Sequence, residues 1–80
     1  MIRVVVVDDE AMIRAGLRML LDHQPDIEVV GEAADGVRAL DEVRRTAPDV
    51  VLLDVRMPHG DGIEAARHIL AAGTGTVRPA

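Results

Sequence analysis

Asp8 and Asp9 stand side by side, with Glu10 next, directly after the apolar run Val4–Val7, and Asp54 stands directly after Val50–Leu53. Carboxylates gathered at short range do not stay uncompensated: like charges disfavour each other's ionised form unless a cation joins them. An all-oxygen ligand set selects a hard ion, Mg²⁺ or Mn²⁺ ahead of Ca²⁺. Mg²⁺ takes one or two carboxylates, keeps several waters and accepts phosphate oxygens. A carboxylate beside such an ion can attack phosphorus and carry the phosphoryl group, with the metal offsetting the charge. These residues therefore predict one acidic pocket of Asp8, Asp9 and Asp54, binding a divalent ion, in which Asp54 carries phosphoryl. The plainer reading is that Asp8-Asp9-Glu10 caps a helix and complements its dipole. For the triplet in isolation that reading is preferred. Asp54 shifts the balance, because an acid set straight after a buried apolar strand is costly unless it is used.

The two acidic positions are far apart in sequence, so the fold must bring them together. Ile2–Val7 is β-branched and nearly all apolar, the pattern of a strand buried on both faces of a parallel sheet. From about Glu10 to Asp22, Ile13, Leu17, Leu20 and Leu21 recur with helical spacing, and His23-Gln24-Pro25-Asp26 breaks the pattern. Ile27–Ala33 reads as a second, more polar strand suited to a sheet edge. Asp35 is a candidate N-cap for a second helix with Val37, Leu40 and Val43 inward, ended by Thr46-Ala47-Pro48-Asp49. Val50–Leu53 is a third buried strand, Val55–Gly60 a loop, and Gly62–Ala72 a third helix with Ile63, Ala66, Ile69 and Leu70 inward. Gly73–Thr76 is a turn, and Val77 begins an element that the chain does not finish. The order βαβαβα implies parallel strands joined by right-handed crossovers. In a flavodoxin-like sheet of order 2-1-3, the ligand site lies beyond the carboxyl ends of strands one and three. Those ends are Asp8 and Asp54.

Composition narrows the function classes. Eighty residues allow one small domain, and such a chain buries only about 60% of its unfolded surface. Hydrophobic residues make up 49%, none of them Phe, Trp or Tyr, so the core is aliphatic. Without Cys there are no disulfides or thiolate metal sites, consistent with a cytoplasmic location. A net charge of −5 gives no electrostatic reason to bind nucleic acid or an anionic membrane. The longest apolar runs fall far short of the roughly 20 residues of a spanning helix. His23, His59 and His68 lack metal-ligand spacing and read as surface or loop residues. Met12, Met19 and Met57 read as fillers of core or loop gaps. Gly16 reads as a close-packing position that weakens its helix.

VVVVDDE, LLDVRMP and DGIEA, in this order and at these spacings, resemble the receiver domain of bacterial two-component response regulators. MPHGDGIEAARHIL is most similar to the NarL/LuxR class, whose members carry a C-terminal helix-turn-helix. The resemblance covers the whole chain. It implies a CheY-like fold and cytoplasmic phosphorelay signalling, with phosphoryl donated by a sensor histidine kinase. Asp54 matches the phosphoacceptor, and Asp8 and Asp9 match the acidic pair that holds Mg²⁺. Arg56 matches the position whose backbone carbonyl also binds the metal, while Pro58 and Gly62 match site-shaping positions. The chain is then a phosphoacceptor and not an enzyme in its own right. His59 and Gly60 replace the family's usual Gly-Met, a change an exposed loop tolerates.

Departures from the family pattern set further expectations. The family's site also has Thr or Ser ending strand four and Lys ending strand five. This chain has no Lys, and Thr74 and Thr76 precede the place of strand four. The 80 residues are accordingly expected to be a partial receiver, lacking strands four and five, helices four and five and the DNA-binding domain. Strand three would then be an apolar edge open to pairing, which predicts that the chain either self-associates, as a homodimer or otherwise, through strand three or helix three, or is only marginally folded. It also raises an alternative function, an unphosphorylated module that pairs with complete receivers as a decoy. A Mg²⁺-dependent phosphohydrolase is disfavoured, since such enzymes place Asp-x-Asp after strand one and Glu10 occupies the second position here.

Overall fold

In Val4–Val7 every side chain is buried, and burial on alternate sides of one strand requires a layer on each face. The computed structural model describes residues 1–53 and 76–79, and it supplies both layers. β1 (Ile2–Val7), α1 (Ala11–Asp22), β2 (Ile27–Ala33), α2 (Gly36–Thr46), β3 (Val50–Leu53) and β4 (Thr76–Pro79) follow in order. Val4 and Val6 point to one face, with Val29, Leu17 and Leu21 from β2 and α1. Val5 and Val7 point to the other, with Ala33, Val51, Leu53 and the α2 residues Ala39 and Val43. The helices thus cover opposite faces, the doubly wound arrangement the sequence predicts.

The sheet is parallel, in order β2-β1-β3-β4. The expected order 2-1-3 is present with β2 at an edge, but the expectation that no fourth strand exists is corrected. Val50 pairs with Thr76 and Leu53 with Pro79, so β3 is not an open edge. Thr76 lies at the start of this strand, level with Val50 and remote from the strand ends that carry the acids. Pro79, which cannot donate to a ladder, falls on the outermost strand, where that matters least.

Local chemistry explains the helix ends. Asp35 caps α2 by accepting from the Arg38 amide at 2.8 Å. The other end of α2 closes on Ala47 in the left-handed region, φ 46°. Arg3, the one charge inside β1, donates to the Thr46 and Ala47 carbonyls at 2.5 and 3.1 Å, so it seals the C-terminus of α2. Its own amide meets the Asp49 carboxylate at 2.8 Å, joining the start of β1 to that of β3.

Several inward assignments change. Val37 is 76% exposed, and Ala39 is buried in its stead. The buried stripe of α2 runs through Ala39, Val43 and Thr46, on nearly the opposite side of the helix from Val37. On α1, Leu17 and Leu21 pack on the sheet, while Ile13 and Leu20 are exposed. Met12 and Met19 are exposed rather than gap-filling, since only one narrow side of α1 reaches the sheet. Gly16 has open space around a built Cβ, so it is no close-packing position. The third helix, with Ile63, Ala66, Ile69 and Leu70, lies outside the described residues, as do Met57, His59 and His68.

Gly16→Ala should therefore raise stability by about 0.8–1 kcal/mol, read as a higher urea midpoint at unchanged slope. Val43→Ala, which empties a fully buried site, should cost about 2 kcal/mol by the same assay.

Candidate functional site

β1 delivers Asp8 to the carboxyl end of the sheet. Its amide donates to the Ala33 carbonyl at 3.1 Å, extending the pairing with β2 by one residue. The side chain is held too: Oδ1 accepts from the Glu10 amide at 2.8 Å. Asp8 is 3% exposed and is the one buried carboxylate among the described residues. Its second oxygen accepts no hydrogen bond from any described residue. Asp9 and Glu10 are exposed beside it.

Helix capping does not account for these acids. Glu10 is the N-cap of α1 and makes no side-chain capping bond. The Asp8 carboxylate meets the amide of Glu10 itself and not the first-turn amides. The three acids stand directly before the positive end of α1 and complement its dipole without supplying a side-chain cap.

The register fixes the level of the other strand end. Val7 and Leu53 are partners across β1 and β3, and they immediately precede Asp8 and Asp54 in sequence. Asp54, Arg56, Pro58 and Gly62 lie outside the described residues. Among the described residues no group of three His, Asp or Glu side chains forms a metal cluster, and Asp8 with Asp9 supplies the described part of the expected ligand set.

Sequence reasoning missed three residues at this site. Arg14 of α1 donates to the Asp8 main-chain carbonyl at 2.6 Å, and its Nε lies 3.6 Å from Glu32 on β2. Arg18 also pairs with Glu32, and with Asp22 at 3.8 Å. The available signal was the i, i+4 spacing of Arg14 and Arg18 on one side of α1. Glu32 gave none, because simple alternation places it on the other face. A bulge reverses the alternation: Val4 pairs with Val29 but Val5 with Gly31, leaving Val30 as an extra residue. At Gly31 an added Cβ would meet the tip of the Glu42 side chain at 2.5 Å, so this stretch of β2 lies under the side chains of α2.

The family model for the response regulator receiver domain matches residues 4–78. The chain belongs to this family. Among curated relatives, the transcriptional regulatory protein LiaR of Bacillus subtilis is 49% identical over 69 residues, 86% of this chain and 33% of LiaR. A protein-glutamate methylesterase of Oleidesulfovibrio alaskensis is also 49% identical, over 88% of this chain and 19% of its own length. Among solved structures, the receiver domain of NarL from Mycobacterium tuberculosis superposes with TM-score 0.84 at 40% identity, covering 98% of this chain and 62% of that one. A chain in the crystal structure of the P1 domain of CheA3 in complex with CheY6 from R. sphaeroides matches at TM-score 0.85 and 35% identity, covering 98% of this chain and 61% of that one. This receiver segment thus spans a third or less of these two curated relatives. No helix among its described residues is long and apolar enough to cross a membrane.

The receiver's Asp8 carboxylate is buried without a cationic partner among the described residues. Asp8→Asn keeps an acceptor for the Glu10 amide and removes that charge. The metal-free variant should be more stable than the wild type by about 1 kcal/mol, read by denaturant titration in the presence of a chelator. A clear loss of stability would show that the carboxylate is already compensated.

Proposed function

We propose that the chain is the phosphoryl-accepting segment of a two-component response regulator and that Asp54 takes phosphoryl from a sensor histidine kinase. The observation that carries this reading is Asp8: a buried carboxylate with one oxygen unbonded among the described residues, at the end of β1, level with the end of β3. A buried, half-satisfied carboxylate beside exposed Asp9 has the donor chemistry for a hard cation. Mg²⁺, with Mn²⁺ as a substitute, would be held by Asp8, Asp9, Asp54 and the Arg56 carbonyl. When bound, the ion offsets negative charge on the phosphoryl group. Pro58 and Gly62 would shape the loop beside it. An Asp54 oxygen attacks phosphorus as the bond to the donor's imidazole nitrogen breaks, so the chain is a phosphoacceptor and not a turnover enzyme. The new charge then biases a two-state surface.

The resemblance of the third-helix motif to NarL/LuxR regulators and the likeness to LiaR support a transcriptional output in the cytoplasm. Equal identity to a methylesterase shows that receiver sequence alone does not choose the output. DNA contact, dimerisation and the Thr/Ser and Lys partners of the site are proposed to lie outside these 80 residues. The crystallised complex of a CheA P1 domain supports a kinase as partner. In the decoy reading, the edge offered to a complete receiver would be that of β4, which lies outside β3 among the described strands.

Incubation with a small phosphodonor and Mg²⁺ should add one hydroxylamine-labile phosphoryl group to a complete receiver beginning with this sequence, and Asp54→Ala should abolish it. The 80-residue chain, lacking any Lys to steady the phosphoryl group, should label weakly. Persistent labelling of Asp54→Ala, or none in the complete receiver, would refute the assignment.

A further inference from the structure

We infer that Arg14 is a positioning residue for the acidic site, fixing the direction of the Asp8 carboxylate through its main chain, with Glu32 as the anchor that holds the guanidinium in place. The inference rests on the proposed Mg²⁺-binding role of Asp8 and assigns part of that role to two residues outside the acidic cluster.

Three bonds hold Asp8. Its amide is tied to Ala33 at 3.1 Å, its Oδ1 to the Glu10 amide at 2.8 Å, and its carbonyl to Arg14 at 2.6 Å. The first two set the strand end and the rotamer. The third falls on the peptide plane between Asp8 and Asp9, so it governs how both carboxylates leave the strand. An arginine free to swing could not do this. Arg14 is confined: its side chain is 19% exposed, and Glu32 stands 3.6 Å from Nε. The rigid guanidinium fork lets one nitrogen serve the carbonyl while another faces the carboxylate. Glu32 reaches α1 only because the bulge at Val30 turns it to that face. Residues that orient a metal ligand commonly contribute 10–100-fold to metal affinity when removed.

Charge alone predicts the opposite sign. Arg14 places a cation beside a site meant for Mg²⁺, so deleting that charge should tighten metal binding if repulsion were its main effect. Positioning predicts weaker binding. The measurement is Mg²⁺ affinity by titration calorimetry on the 80-residue chain, with thermal melts in chelator to verify folding. Arg14→Gln should weaken Mg²⁺ binding about 10-fold. Arg14→Lys, which keeps the charge but loses the fork, should also bind more weakly than the wild type. Glu32→Gln leaves Arg14 present but unanchored and should give a smaller loss in the same direction, but it also removes a negative charge; Arg14→Lys, at unchanged charge, therefore stands in should Arg14→Gln fail to fold. Unchanged or tighter binding in a folded Arg14→Gln, or in Arg14→Lys if the former does not fold, overturns the inference. Absence of Mg²⁺ binding by the wild type itself would overturn the proposed metal site instead.

Discussion

The structure depends on burying β1 from both sides. Four consecutive valines, Val4–Val7, are at most 3% exposed, and no single layer can achieve that for a strand whose side chains alternate. One helix must lie on each face and one strand on each flank, and α1, α2, β2 and β3 take those places. The cost of ending such a strand in Asp8 is then the physical origin of the site. The carboxylate emerges where the apolar layers stop, still shielded from water, and must find donors or a cation.

Two polar clamps join this core to its ends. At the amino end of β1, Arg3 closes the last turn of α2 and bonds Asp49. At the carboxyl end, Arg14 closes on the Asp8 carbonyl and pairs with Glu32. Both clamps are arginines reaching main-chain carbonyls, where a planar fork of donors fits better than a lysine's point charge. Between them, the strand that carries Asp8 is held at both ends.

The face of α1 away from the sheet is less settled. Met12, Ile13, Met19 and Leu20 are exposed among the described residues, and Gly16 leaves open space. α1 is consequently anchored by Leu17, Leu21 and its arginines rather than by a broad apolar stripe. That makes the Arg14–Glu32–Arg18 group a larger part of what fixes the helix, although exposed ion pairs contribute little one by one.

Sequence by itself determined what depends on local order and period. The strands β1, β2 and β3, the two described helices, the Asp35 cap and the edge position of β2 follow from β-branched runs, 3.6-residue spacing and turn chemistry. The place of Asp8 follows equally, since it is simply the residue after a buried strand. Tertiary structure decided what depends on parity and neighbours. One extra residue at Val30 exchanges the faces of everything after it in β2, so Glu32 meets Arg14 and Ala33 joins the other core. No periodicity count foresees a bulge in a parallel pair. The choice of Ala39 over Val37, the exposure of Leu20, and the pairing of Thr76–Pro79 with β3 likewise rest on which surfaces meet. Local patterns state that a residue is apolar or acidic; only packing states what stands opposite it.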